Sequence, residues 1–307
     1  MPINQIHDAN FPVDSEGRTY HVEVRRGDVA NRIVTVGDPA RAKLLAESLD
    51  AILFEHMSHR GFLTITGLYC GLPVSIVAIG MGFANMDFFI REVRAVVDGP
   101  MAVIRLGSCG SLSPLPNPSD IIVADRTYAI TRNFGFFDAP PALDAPGGGG
   151  EIQPYLVSST VDADAKLTRH LIDNLLKWVP KDKVYVGTAG SADTFYASQG
   201  RKDPNFNDHN QDLITQITKG QPERIAFEME AHMLYHLARC SQIFSSSQDK
   251  VIRASCALMV YINRAGNATI TPQQSKHSLE VCTKAIFDAL VDDMPTQKGS
   301  VWDKVLD

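Results

Sequence analysis

Arg105 is a lone cation inside an apolar run, M-A-V-I-R-L-G-S-C-G-S-L, from Met101 to Leu112. Removing a guanidinium from water is costly unless an anion meets it there. Two partners satisfy that demand: an internal carboxylate, or an oxyanion bound at the carboxyl end of a central strand, where open α/β sheets hold ligands. Gly107 and Gly110 allow close backbone approach, and Ser108 and Ser111 add hydroxyls. Arg41 follows V-G-D-P-A in the first turn of a predicted helix, where the dipole disfavours a cation unless an anion also binds. Arg60 lies in S-H-R-G-F. Together with Gly37 and Ser108, the three arginines suit a phosphate dianion, whose oxygens accept forked guanidinium bonds.

Two further groups carry chemistry. Glu228 and Glu230 flank Met229 at the end of a predicted strand. Such paired carboxylates either cap the following helix or hold a vicinal diol, since each ionised carboxylate accepts two hydroxyl protons. The stretch D-T-F-Y-A-S-Q-G-R offers an apolar wall (Phe195), an amide (Gln199) and a cation (Arg201), although by itself it reads as a solvated loop. Other patterns fail. G-M-G-F-A-N, from Gly80 to Asn85, lacks the third glycine of a dinucleotide fingerprint, and Arg105 stands where its ribose-binding acid is expected. His232 and His236 share a helical face, but Met233 replaces the glutamate of a zinc motif. The glycines at 147–150 lack the Lys-Ser/Thr of a P-loop.

The elements that position these residues alternate between strands and helices. Strands are predicted at Tyr20–Val24, from Arg32, and at Ala51–His56, Phe62–Thr66, Val74–Ile79, Ile121–Asp125, Val184–Thr188, Ile225–Phe227 and Arg253–Ile262. The strand from Met101 is predicted to break into a glycine turn at Gly107–Gly110. Helices follow Pro39 and cover Met86–Val97, Asp162–Trp178, a segment ending near Cys240, and Thr271–Val291, the last opened by a capping box. Residues 1–20 read as an irregular arm and 134–154 as an exposed insertion rich in Pro and Gly. This alternation predicts an α/β chain folded as one domain over 1–307.

With 44% hydrophobic and 21% charged residues, the composition is that of an ordinary globular protein. A formal net charge of −6 argues against nucleic acid or an anionic membrane as a general partner. The first residues lack the regions of a signal peptide and no apolar run is long enough to span a bilayer, so the expected location is the cytoplasm. The five cysteines are odd in number and widely spaced, which suits reduced thiols.

In combination, V-G-D-P-x-R, H-R-G-F, I-R-L-G-S-C-G, S-x-D-T-F-Y-x-x-Q-x-R and F-E-M-E resemble the nucleoside phosphorylase-I superfamily, nearest its uridine phosphorylases. The resemblance implies a three-layer α/β/α domain around a mixed, partly barrel-like sheet. It implies phosphorolysis of uridine to uracil and ribose 1-phosphate, with deoxyuridine and thymidine left open as further substrates, as part of pyrimidine salvage, with inorganic phosphate as co-substrate and no cofactor. Phosphate would lie on Gly37, Arg41, Arg105 and Ser108, with Arg60 from a second subunit. Ribose would lie on Met229, its 2′- and 3′-hydroxyls bound by Glu230 with help from Glu228, with His21 from that subunit at the 5′-hydroxyl. Uracil would lie on Phe195, Gln199 and Arg201, and the catalytic residues would be Arg105, Arg201 and Gln199. Asn263 stands where purine-cleaving relatives carry an aspartate. Gly61 replaces the glutamate that helps bind an interface potassium ion in bacterial uridine phosphorylases, so that ion is not carried over. Shared sites imply a homodimer at least, with a hexamer as the larger alternative. The competing readings are a nucleosidase or purine nucleoside phosphorylase of the same fold, and a non-catalytic nucleoside-binding protein.

Overall fold

The computed structural model describes residues 7–138, 153–244, 250–293 and 302. Its strands are β1 (Arg32–Val36), β2 (Ala51–Met57), β3 (Leu63–Tyr69), β4 (Leu72–Ala78), β5 (Met101–Ser111), β6 (Ile121–Arg132), β7 (Tyr155–Val157), β8 (Val161–Asp162), β9 (Val184–Ala192), β10 (Arg224–Glu228), β11 (Ile252–Asn263) and β12 (Ala268–Thr269). The helices are α1 (Pro39–Ala46), α2 (Phe83–Val96), α3 (Phe134–Asp138), α4 (Ala165–Leu175), α5 (Leu213–Thr218), α6 (Ala231–Phe244) and α7 (Pro272–Asp293).

The strands form one mixed sheet in the order β12-β11-β6-β9-β10-β5-β1-β4-β3-β2, with β7 and β8 on β6. A further pairing of β11 with β5 closes β5, β11, β6, β9 and β10 into a ring, so the sheet is barrel-like at one end and open at the other. Irregularities between Ala124 and Arg126 on β6, and between Arg224 and Ala226 on β10, supply the bends that closure needs. Helices cover both faces. Leu45 of α1, Leu171 of α4 and Phe287 of α7 pack with Ile104 and Leu106 of β5. Phe89 of α2 and Leu234 of α6 pack with Met101 and Val103. Because side chains alternate along a strand, Arg105 points to the α2/α6 side.

Several expectations are corrected. β5 does not break at its glycines. It continues to Ser111 alongside β11, with Leu258 opposite Gly107 and Ile262 opposite Gly110. A Cβ on Gly107 would come within 2.9 Å of the Leu258 side chain and 3.3 Å of Arg105 Nε, so the glycine makes room for neighbouring side chains rather than a turn. Tyr20–Val24 forms no strand, because the His21 and Val22 amides donate to the Glu92 carboxylate instead of a strand partner. The arm is instead held by isolated bridges joining His7 to Val13 and Val13 to Thr19. β6 and β9 run well past their expected ends, through the ring. α4 starts at Ala165 because Val161–Asp162 pairs with β6 and Asp164 caps the helix through the Leu167 amide at 2.8 Å. Within the expected insertion, α3 occupies Phe134–Asp138, while Gly147–Gly150 lie outside the described residues. All five cysteines are unpaired; Cys109, Cys256 and Cys282 are buried, whereas Cys70 is exposed on the β3–β4 turn.

Candidate active site

The Arg105 guanidinium lies between two buried carboxylates. It bonds to Glu230 through Nη2, and its Nε is 3.5 Å from Glu228 Oε2. All three side chains are nearly sealed from water; Arg105 is 4% exposed and each glutamate 3%. The internal-carboxylate alternative is thus realised on one edge of the guanidinium. On the other side, Nη1 is buried without a hydrogen-bond partner, and Nε makes no hydrogen bond either. Burial works against the Arg105 charge, but the fields of Glu230 and Glu228 outweigh it and hold the group protonated.

The two glutamates divide the roles that sequence left open. Glu228 closes β10 and caps α6, accepting the Glu230 amide at 2.7 Å and the Ala231 amide at 2.9 Å on Oε2. Its Oε1 accepts the Ser191 hydroxyl, and Ser191 is its register partner on β9. Glu228 is therefore engaged as the cap of α6, the first of the two roles open to it. Glu230 accepts the Gly82 amide at 2.6 Å and Arg105, leaving further acceptor capacity on both oxygens. Burial raises the Glu230 pKa, Arg105 opposes that shift, and Glu228 adds to it. Met229, between them, is half-buried. The G-M-G stretch that failed as a dinucleotide motif thus forms the α2 entrance that binds this carboxylate.

Arg41 approaches the same strand from α1. Its Nη1 is 3.5 Å from the Leu106 carbonyl and its Nη2 is 3.3 Å from the Tyr261 hydroxyl, which in turn bonds to Ser275 at 2.7 Å. Gly37 lies in the β1–α1 turn, held by the Gly80 amide at 2.9 Å, and a Cβ there would sit 3.2 Å from the Gly80 carbonyl. Ser108 is partly exposed two residues past Leu106. The ends of β1, β4 and β5 therefore gather Gly37, Arg41, Arg105, Ser108 and Glu230.

β9 ends at Ala192, one residue past Ser191 and just ahead of the loop that carries Phe195, Gln199 and Arg201. A 3-10 turn over Ala197–Gln199 is terminated by Gly200 in the left-handed region (φ 61°). Gln199 is 2% exposed, and its Oε1 accepts Arg201 Nη2 at 3.3 Å. Arg201 also donates through Nε to the Phe195 carbonyl at 3.0 Å, and its guanidinium lies 4.0 Å from the Phe195 ring centre. These three residues form one unit rather than a solvated loop.

Arg264 completes this unit and was missed in the sequence. Its guanidinium bonds to the Gln199 carbonyl and, at 3.1 Å, to the Gly200 carbonyl. Burial and the nearby Arg201 charge depress its pKa. Its stem crosses Gly110, where a Cβ would lie 3.1 Å from Arg264 Cδ. The sequence offered only a weak signal, an arginine just past the end of an apolar strand. Neighbouring Asn263 donates its amide to the Ser113, Pro114 and Pro116 carbonyls at 2.8–3.1 Å, bonds that a carboxylate could not make.

Arg60 and His21 are not brought to these groups within one chain. Arg60 is exposed on the β2–β3 hairpin, with Nη2 3.5 Å from the Tyr20 hydroxyl and its guanidinium 5.8 Å from that ring's centre. β5 and β3 are separated by β1 and β4, about 14 Å at the usual strand spacing and beyond an arginine's reach. Tyr20 also meets His21 edge-on at 4.9 Å, so the two residues share one outlying patch. His232 and His236 stack at 6.4 Å, and no metal-binding cluster occurs among the described residues.

The fold that holds this arrangement is shared with known proteins. A uridine phosphorylase from Thermococcus kodakarensis is 28% identical over 267 residues, covering 86% of this chain and 84% of that protein. A purine nucleoside phosphorylase of the DeoD type from Streptococcus uberis is 31% identical over 230 residues, covering 73% and 81%. A solved uridine phosphorylase structure from the oomycete Phytophthora capsici superposes with a TM-score of 0.81 at 34% identity, covering 93% of this chain and 100% of that one. A family model described as the phosphorylase superfamily matches residues 31–281, the span that holds the arginine–glutamate cluster and the amide–arginine loop. The chain belongs to that superfamily and is a pentosyltransferase of the nucleoside phosphorylase kind.

Proposed function

We propose that the protein is a uridine phosphorylase, converting uridine and phosphate into uracil and ribose 1-phosphate. The buried Gln199 amide bonded to Arg201 over Phe195 carries this reading. Gln199 can accept from N3–H and donate to O2, while Arg201 donates to O4. Cytosine reverses the polarity at N3 and C4, so both contacts would be lost or repulsive. The resemblance to the two uridine phosphorylases supports the assignment. The DeoD-type relative keeps the purine reading in view, and Asn263 argues against it because its amide is engaged with three backbone carbonyls.

In this reading phosphate lies on Gly37, Arg41, Arg105 and Ser108. Arg105 keeps Nη2 on Glu230 and turns its unpartnered Nη1 toward the anion. Glu230 accepts the ribose hydroxyls above Met229, and Glu228 acts indirectly by holding the start of α6. A phosphate oxygen bonds to C1′ as the C1′–N1 bond breaks, and the electron pair leaves on uracil. Positive charge on the sugar faces phosphate, while negative charge on the base faces Arg201 and Gln199. Arg60 and His21 come from a second copy, so the working unit is a homodimer at least, and the expected setting is cytoplasmic pyrimidine salvage.

Base release from uridine, deoxyuridine, thymidine and inosine, each with and without phosphate, tests the assignment. Phosphate-dependent release from uridine but not inosine is expected. Release without phosphate would establish a nucleosidase, preferential inosine cleavage a purine enzyme, and no turnover a binding protein.

A further inference from the structure

His21 is held by α2 rather than by its own segment. Glu92, 7% exposed, accepts the His21 amide at 3.0 Å, the Val22 amide at 2.7 Å and the His21 ring through Nδ1 at 2.6 Å. One turn earlier on the same helix, Phe88 stacks on the imidazole at 3.8 Å with an interplanar angle of 12°. The stack sets the plane of the ring, the Nδ1 bond sets its rotation about the normal, and the amide bonds fix the backbone that carries it. A carboxylate on Nδ1 also selects the tautomer with the proton at Nδ1 and a lone pair at Nε2.

We propose that Glu92 is a positioning residue for nucleoside recognition, holding His21 in the Nδ1–H tautomer so that Nε2 accepts a hydrogen bond from the ribose 5′-hydroxyl in the neighbouring subunit's site. This rests on the role given to His21 above. Glu92 does not touch substrate; it acts through the imidazole. The same helix begins at Gly82, whose amide binds Glu230, so α2 links the ribose-binding carboxylate of one site to the histidine lent to the other.

The test compares uridine with 5′-deoxyuridine, which lacks the hydroxyl in question. Wild-type kcat/KM should favour uridine by about tenfold, the range of one well-made hydrogen bond. His21→Ala should remove that preference. Glu92→Gln, which keeps an acceptor for one donor but not for all, should reduce it to roughly twofold with phosphate KM unchanged. The double variant should match His21→Ala. Retention of the preference in His21→Ala would overturn the underlying role of His21, and the proposal with it. Loss in His21→Ala with full retention in Glu92→Gln would overturn the role of Glu92 alone. Imidazole ¹⁵N spectra of the wild-type dimer at mildly alkaline pH, assigned by the signal missing in His21→Gln, give a reading independent of whether Glu92→Gln folds. A protonated Nδ1 with a bare Nε2 is expected, and the opposite tautomer refutes the proposal.

Discussion

Replacing Arg105 separates two roles that its position combines. Arg105→Ala would leave Glu228 and Glu230 buried without a counter-ion. Breaking a buried pair from one side costs about 3–5 kcal/mol, a large share of the about 5–15 kcal/mol that holds a domain together. The alanine variant should therefore melt early or fail to fold, which says nothing about catalysis. Arg105→Lys is the informative change. Its single ammonium can sit on Glu230 and keep the local charge balance, but it has no rigid fork to offer a second group at the same time. What is lost is the Nη1 side of the guanidinium, buried and unpartnered in the free protein. Removing one preorganised donor to developing charge costs about 2.7–4 kcal/mol, or roughly 10²- to 10³-fold in rate. Uridine phosphorolysis followed by the change in ultraviolet absorbance should show that loss in kcat/KM, and scanning calorimetry should show a melting temperature close to wild type. A folded lysine variant working within about threefold of wild type would refute the role of the guanidinium fork.

Arg264→Met should raise uridine KM by about tenfold, since two charge-assisted bonds to the Gln199 and Gly200 carbonyls are lost. Phosphate KM should stay unchanged, and a parallel rise in both would show general loosening instead. Tyr261→Phe removes the hydroxyl between Arg41 and Ser275 and should raise phosphate KM by roughly two- to fivefold while sparing uridine; steady-state kinetics with each substrate varied will show whether it does. Glu230 must be ionised to accept both ribose hydroxyls, and its pKa is raised by burial. Uridine affinity for the phosphate-free enzyme, measured by calorimetry, should therefore weaken on acidification while the pH is still above the ordinary carboxylate value near 4.3. The linkage has a definite sign. The native state holds the Glu230 proton more tightly than the unfolded chain, so ionising this group as pH rises through that window removes stability. Affinity that stays flat down to pH 4 would contradict a ribose-binding Glu230 whose pKa is raised.

Sequence was most informative where a residue type contradicted its surroundings. Arg105 in an apolar run, and acids flanking a methionine, marked groups that the fold brings into contact. Strand–helix alternation located most of the elements, because buried strands and amphipathic helices differ in period. Ring closure was not legible locally, since it depends on β11 pairing with β5 some 150 residues earlier in the chain. For the same reason β5 was cut short: its glycines look like a turn until the side chains crossing them, Leu258 and Arg264, are in place. Arg264 was overlooked because its partners are backbone carbonyls, which leave no trace in residue type.

The spacing of Glu228 and Glu230 shows why one motif needs two acids. A helix entering a ligand site exposes amides that bind whatever carboxylate is nearest. Were Glu228 absent, the free amides at the start of α6 would compete for Glu230 and draw it from Gly82 and Arg105. With Glu228 occupying them, Glu230 is left between one amide and one guanidinium, with lone pairs still available. The orphan Nη1 of Arg105 follows from the same geometry: two carboxylates meet the guanidinium on its Nε and Nη2 sides and cannot also cover the remaining donor. A buried cation with donors left without hydrogen bonds is a standing cost in the free protein. An anion that carries its own charge into the site removes that cost, and hydroxyls on the neighbouring carboxylate do not. In the proposed site this asymmetry favours an anion at Arg105 and the sugar hydroxyls at Glu230, two residues in direct contact.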